Sequence, residues 1–531
     1  MRKDLIAFLS LLALSLLCYA AILPTYFLSD DFSLIGRVAT EGMLSTWGKS
    51  HGGFLRPVTG LSYLIDFHLW HFNQFGFHLT NVLFHAINAF FVFLLFRRLY
   101  QLFLMREGGT LAFLTACLFL VLPSHTESVS WISGRTDVLA TTFGLAATVS
   151  FVHLLSGRST LLMYLSILCV ALALLAKECA VVVPIVWIIL FLAYIVLSRR
   201  RPAPHAPLAI AGALVCLAAY FTLRRFAIGH FIGGYGTQKH LSLLNAGTLN
   251  NVYIFAVRTF LPAMTVRIFK IVTSKPAFLI SGFITGAVVC TLLVQRIHLH
   301  SKRWIEVATL ALSLILCAGV SLVPVLSMWF SLFDTQSERF FYLPSVFTSG
   351  LAVLVASIVA RSRRGTVILM TVLIVLETVA LQWVNRRWIA ASRLTERIAG
   401  EVAEMNPRDV FILNVPDNIG GAYVFRNGLT EAATTFLGRP KGDRYRVISF
   451  HSINSLEETF DAHVGDNSVH LALPPSLQFY EIQDQGLEVI REGNMLVVKN
   501  LNVALPENRS LVSFRGGLEV PMFRAIAWGA E

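Results

Sequence analysis

The chain has 531 residues, 55% of them hydrophobic and only 14% charged, with a mean hydropathy of +0.67. Soluble domains carry about 25% charged residues, so the composition excludes a soluble globular protein. The 43 basic residues outnumber the 31 acidic ones by 12, but they gather at the ends of apolar runs, which marks membrane orientation and not nucleic-acid binding.

Apolar runs fall at 5–23, 79–96, 110–122, 138–156, 160–176, 180–198, 207–223, 277–295, 305–326, 344–360 and 366–384. Runs of this kind cross a hydrocarbon core of about 30 Å as helices, so the expectation is a polytopic protein with about eleven transmembrane helices. The first run follows Arg2-Lys3 in the manner of a secretory signal. It is read as an uncleaved span because later spans make this a resident membrane protein. With the N-terminus in the cytoplasm, Arg97-Arg98, Arg158, Arg199 to Arg201, Arg296 with Lys302-Arg303, and Arg361 with Arg363-Arg364 all lie inside. Arg224-Arg225 and Arg386-Arg387 run against that assignment. The weakly apolar stretch from Asn250 to Met264 is read as interfacial or partly buried, since a twelfth crossing there puts the Arg296 loop and the Arg361 cluster outside.

On this count the loops at 29–31, 54–78, 124–137, 177–178, 223–275 and 334–342 share the extracytoplasmic face. Residues 1–400 form the membrane domain. From about Glu401 the composition turns mixed polar, with strand-like runs at Asp409 to Asn414, Arg446 to Phe450 and Met495 to Leu501 and a Gly-rich turn at Asn418 to Gly421, so 401–531 reads as a small extracytoplasmic α/β domain. No repeat of period 20 to 50 is visible. The seven cysteines lie in or beside apolar runs without metal-ligand spacing, so no disulfide framework or zinc site is expected.

The outer loops carry the chemistry. Asp30-Asp31 directly follows the first span, where a carboxylate pair is costly unless it has partners or work; such a pair presents a fixed base to a hydroxyl or is simply a solvated loop pair. Phe54 to Pro57, with Arg56, leads into Leu61 to Trp70, a segment suited to an interfacial helix. His78, Asn81, His85 and Asn88 follow at helical spacing on one stripe that either lines a hydrophilic cavity or joins helices by hydrogen bonds. No carboxylate accompanies these histidines at ligand spacing, so no metal is assigned. His125, Glu127, Trp131, Arg135 and Asp137 form a third cluster and Lys177-Glu178 a fourth, the latter read in isolation as a structural pair. Glu338-Arg339 before Phe340, Phe341 and Tyr342 puts a guanidinium beside aromatic rings, a combination suited to a lipid-linked phosphate.

Taken in order, five strings resemble the GT-C superfamily of membrane glycosyltransferases, and within it the protein O-mannosyltransferase-like proteins whose transmembrane helices precede tetratricopeptide repeats. They are Ser29 to Phe32; Arg56-Pro57 running to His78 through Ala89; Pro123 to Trp131 and on to Arg135; Leu175 to Glu178; and Glu338 to Pro344. The resemblance implies a polyprenyl-phosphate sugar as donor, inversion at the anomeric carbon and an acidic motif serving the acceptor. On that footing Asp31, with Asp30 as neighbour or substitute, is the base, and Arg339, Lys177 and Arg135 are phosphate candidates. Arg56, Glu127, His125, Glu178, Glu338, Tyr342 and His78 complete the expected substrate site. No obligatory cofactor or metal is expected, because displacement from an activated phosphate needs no Lewis acid in principle. The chain departs from these proteins in showing α/β-like sequence where they carry repeats, which leaves the acceptor open between protein Ser/Thr and a cell-envelope glycan. Expected partners are the bilayer, the lipid-linked sugar and that acceptor, with no nucleic acid. The expected location is the plasma (inner) membrane, with the site facing the periplasm. The competing reading is a transporter or flippase for a lipid-linked glycan; such proteins place ionisable residues near the bilayer midplane in matching halves, whereas here they sit at one face.

Overall fold

The computed structural model describes residues 2–46, 53–104, 108–198, 202–231, 246–259, 302–328, 330–332, 334–360, 362–405 and 410–440, then strand segments between 446 and 526. The described helices are α1 (Arg2–Tyr19), α2 (Asp30–Glu41), α3 (Pro57–Trp70), α4 (Gln74–Phe103), α5 (Gly109–Val121), α6 (Thr126–Val129), α7 (Arg135–Leu154), α8 (Thr160–Ala176), α9 (Val183–Ser198), α10 (His205–Ile228), α11 (Ala246–Arg258), α12 (Lys302–Leu322), α13 (Tyr342–Val359) and α14 (Arg363–Glu404). Ten of the eleven apolar runs are thus helical, and the run at 277–295, with Arg296, lies outside the described residues.

Seven described helices are long and apolar enough to cross a membrane, and eight if α5 and the bent Pro123–Val129 piece form one span. Of the eleven expected runs, the one at 277–295 lies outside the described residues, and two others fall short of that length and composition. α8 has only 17 residues, and α1 starts on Arg2, Lys3 and Asp4. The bend after α5 is 56° and falls at Pro123, which cannot donate a backbone hydrogen bond to continue the helix. Along α9, α10, α12 and α14, large side chains such as Leu192, Val215, Phe226, Ile315 and Val379 stay exposed. In water each costs about 1.5–3 kcal/mol relative to burial; a hydrocarbon surround removes that cost.

The stretch read as interfacial is partly described as α11, an amphipathic helix whose Ile254 and Phe255 join a core with Leu322, Val325, Phe330 and Phe341. At 42 residues, α14 is about 63 Å long at 1.5 Å per residue. It continues some 20 residues past its apolar run, so Arg386 and Arg387 lie within a helix and not in a loop.

All three expected strands are present, as β1 (Val410–Pro416), β4 (Arg446–Ser452) and β9 (Met495–Lys499). The Gly-rich turn joins β2 (Asn418–Ile419) to β3 (Ala422–Tyr423) as a small hairpin. With β5 (Ala462–Val464), β6 (Ser468–Ala472), β7 (Leu477–Ile482), β8 (Glu488–Glu492), β10 (Ser510–Phe514) and β11 (Phe523–Ile526), the strands make two further sheets. One is mixed, in the order β11-β10-β1-β4-β7, with β1 parallel to both β10 and β4; the other is antiparallel, β5-β6-β9-β8. Among the described residues after 405 the helical part is confined to Leu429–Phe436, a larger share of strand than an α/β reading anticipates.

Two compact units emerge. One comprises Met1–Ala20, Met43–Ile65 and His78–Val384; the other comprises Ala21–Gly42, Asp66–Phe77 and Asn385–Glu531.

Candidate functional site

In the helical unit, four of the sequence clusters meet in one buried polar network. The α4 stripe is fully buried, and Asn81, His85 and Asn88 hydrogen-bond from it to other elements. Asn81 donates through Nδ2 to the carbonyls of Trp131 (3.1 Å) and Ile132 (3.3 Å), and its Oδ1 accepts from Arg135 Nε at 2.6 Å. His85 lies between the Leu120 carbonyl (3.0 Å from Nε2) and the Tyr342 hydroxyl (2.7 Å from Nδ1). A carbonyl only accepts, which assigns the imidazole proton to Nε2 and makes the Tyr342 hydroxyl the donor to Nδ1. Asn88 then donates to Tyr342 at 3.0 Å. His125 shares a 2.8 Å bond with Ser345, and His78 is fully buried near the start of α4.

The two charged dipeptides each divide between separate partners. Lys177 reaches both Asp137 oxygens at 2.6 Å, while its neighbour Glu178 holds Arg56 through two bonds of 2.5 and 3.0 Å. Glu338 pairs with Arg258, while Arg339 donates its backbone N–H to Glu127 at 2.9 Å and brings its guanidinium within 3.6 Å of the same carboxylate. Phe340 links the two sets, its ring lying 5.4 Å from Lys177 Nζ and 5.3 Å from the Arg339 guanidinium. Trp131 offers Arg339 a second ring at 5.2 Å. Gly134 makes the tight turn possible, because a Cβ there would lie 2.2 Å from the Glu127 carbonyl.

These pairs differ in their access to solvent. Lys177 with Asp137 (2% and 7% exposed) and Arg258 with Glu338 (0% and 2%) are dry, whereas Arg339 keeps 20% of its side chain exposed. Arg135 is fully buried, with its guanidinium 4.7 Å from the Tyr63 ring. Asp137 and Arg258 were not among the expected site residues. Asp137 is signalled by its place two residues after Arg135, and Arg258 by a lone guanidinium in an amphipathic helix.

In the strand-bearing unit, Asp30 and Asp31 form the first turn of α2 and differ in their roles. Asp31 is buried and its Oδ2 accepts the Leu28 N–H at 2.9 Å, closing the turn that precedes the helix. Asp30 is half-buried; its Oδ1 accepts from the Asn427 amide. The segment Val424–Gly428 lies along this turn. Ser29, at φ 45°, donates its N–H to the Val424 carbonyl at 3.0 Å, and Phe32 stacks on Phe425 at 5.5 Å. Gly428 has φ +82°, and a Cβ there would lie 2.7 Å from the Ser29 carbonyl. Beneath it, Arg426 bonds Asp417 at 2.9 Å and lies 4.7 Å from the Tyr423 ring. Burial opposes the charge on Arg426, but Tyr423, Asp417 and Asp30 outweigh it and hold the guanidinium protonated more firmly than usual. Asn427, Arg426 and Asp417 were not anticipated; the one hint was the Gly-rich turn they flank. Among the described residues no three His, Cys, Asp or Glu side chains gather as metal ligands.

No family model matches the chain. In sequence, part of it is similar to Protein O-mannosyl-transferase Tmtc1 of Drosophila melanogaster, 31% identical over 195 residues that cover 34% of this chain and 22% of the relative. It is also similar to Protein O-mannosyl-transferase TMTC1 of Homo sapiens, 34% identical over 153 residues that cover 26% and 17%. The chain therefore spans about a fifth of the length of the curated relatives it matches. Among solved structures, ArnT from Cupriavidus metallidurans overlays with a TM-score of 0.44 at 12% identity, covering 95% of this chain and 99% of that one. The Archaeoglobus fulgidus oligosaccharyltransferase overlays at 0.40 and 10%, covering 84% and 70%. By sequence, part of the chain resembles protein O-mannosyl-transferases, the family its five strings imply.

Proposed function

We propose that the chain is an integral-membrane glycosyltransferase that moves one hexose, mannose in the first instance, from a polyprenyl-phosphate carrier to a hydroxyl on the extracytoplasmic face of the plasma membrane. The acceptor is a protein Ser/Thr or a cell-envelope glycan. One observation carries the reading: a chain with 31% identity over 195 residues to a protein O-mannosyl-transferase places, after its first apolar helix, an acid pair of which one member is half exposed.

The acceptor hydroxyl gives its proton to the Asp30 carboxylate as its oxygen forms a bond to C1 of the sugar. The bond from C1 to the phosphate oxygen breaks on the opposite face, and its electron pair leaves with the polyprenyl phosphate, so the anomeric centre inverts. We assign the base to Asp30 because Asp31 is buried against its own turn. Arg339 is the phosphate ligand: its planar fork suits two phosphate oxygens, and it is the most exposed cation of its network. Lys177, Arg135 and Arg56 support it from the buried side, held by Asp137, Asn81 and Glu178, while Glu127 holds Arg339 itself, Glu338 holds Arg258, and His125 and Tyr342 brace the helices beside the buried His78. The test is sugar transfer in membranes supplied with labelled polyprenyl-phosphate mannose or glucose, with product sorted into protein, lipid and polysaccharide fractions. Label is expected in one fraction and lost in Asp30→Asn; no aspartate-dependent label from either donor overturns the reading and favours a transporter.

A further inference from the structure

We infer that Asn427 is a positioning residue for the base, so that the strand-bearing segment takes part in the reaction by aiming the Asp30 carboxylate. The inference rests on the reading of Asp30 as the base. Its observation is the bond from Asn427 Nδ2 to Asp30 Oδ1 across 397 positions of sequence. A carboxylate accepts and does not donate, so the amide must turn its nitrogen toward Asp30, and the side chain has one productive orientation. Asn427 Oδ1 faces the other way, buried and without a hydrogen bond among the described residues. Asp30 Oδ2 has no hydrogen bond among the described residues, which leaves that oxygen's lone pairs for the acceptor proton.

A structural tie between the two loops does not need this bond. The Ser29 to Val424 backbone bond, the Phe32–Phe425 stack and the close approach at Gly428 already seat the segment. What the amide adds is the direction of a carboxylate that otherwise rotates about its χ2, and directed geometry of this kind is worth about 10²-fold in rate.

Asn427→Asp keeps the shape and the acceptor oxygen but sets a second carboxylate against Asp30, so it is read beside Asn427→Ala, which removes the donor without adding charge. With the purified full chain and labelled polyprenyl-phosphate mannose, or whichever donor the transfer assay identifies, kcat should fall by about 10²-fold at unchanged donor KM. The thermal midpoint in detergent should stay within a few degrees of wild type. In an Asp30→Asn background the same change should cause no further fall in residual turnover, because there is no base left to aim. If Asn427→Asp does not accumulate, Asn427→Ala is read alone. Wild-type kcat in these variants, or a loss that multiplies with that of Asp30→Asn, overturns the inference. Wild-type turnover of Asp30→Asn itself overturns the reading of the base instead, and the two failures are told apart by that single variant.

Discussion

The acid pair after α1 and the carboxylates of the helical unit are held by different chemistry. In the helical unit Asp137, Glu178, Glu338 and Glu127 each meet a cation, and two of the pairs are almost wholly dry. In the strand-bearing unit Asp30 is held by a neutral amide and Asp31 by a backbone N–H. An ion pair with both oxygens engaged, as at Asp137, fixes position and leaves little to accept a further proton. A single neutral donor fixes direction and leaves an oxygen open. The helical acids thus brace cations in a low dielectric, where a lone charge is expensive, while Asp30 keeps one carboxylate oxygen without a hydrogen bond among the described residues.

The comparison breaks first at Asp30. Asp30→Asn keeps shape and the contact to Asn427 but removes the proton acceptor, so kcat should fall by 10²- to 10⁴-fold, about the worth of a general base, with protein levels unchanged. Asp31→Asn keeps an oxygen to accept from Leu28 and should lose much less. Equal losses in the two variants, read by the same transfer assay, would erase the distinction drawn between them. Lys177→Met is the counterpart in the helical unit. It strands the Asp137 carboxylate in a site only 7% exposed, and the cost should be about 3–5 kcal/mol, read as a lowered unfolding midpoint in detergent. Adding Asp137→Leu should recover most of it, because removing both charges is far less damaging than removing one. Failure of that recovery would mean the pair has a role other than bracing.

Much of this arrangement was legible in the sequence. Apolar runs located ten helices because hydrocarbon length and backbone satisfaction leave little choice of structure. The β1, β4 and β9 strands followed from local composition. The stripe on α4 was legible as a stripe, and three of its four members, Asn81, His85 and Asn88, hydrogen-bond to other elements. Partners were not legible. Nothing in the spacing of Lys177-Glu178 says that the two residues serve Asp137 and Arg56 separately, because such pairings depend on helix packing between residues 40 and 122 positions apart. Asn427 was invisible for the same reason, since an asparagine in a turn reads first as turn chemistry.

Gly428 tests how closely the 424–428 segment must lie against the acid turn. Gly428→Ala forces a Cβ into left-handed backbone and toward the Ser29 carbonyl, so about 1–3 kcal/mol of stability should be lost. Its kcat should also drop, since the added methyl lifts Asn427 away from Asp30; a stable variant with full turnover would separate the segment from the reaction.

The smallest expected effect returns to the phosphate. Arg339→Lys preserves charge beside Glu127 but replaces a planar fork with a point charge, and the Trp131 and Phe340 rings hold a guanidinium better than a strongly hydrated ammonium. If the exposed part of Arg339 meets the donor phosphate, donor KM should rise by about tenfold, or about 1.4 kcal/mol, while the unfolding midpoint stays near wild type. If Arg339 only braces Glu127, as Lys177 braces Asp137, the substitution should move stability and leave donor KM alone. The helical unit would then hold no cation set aside for substrate among those named, and the phosphate would have to be met by residues other than the five strings.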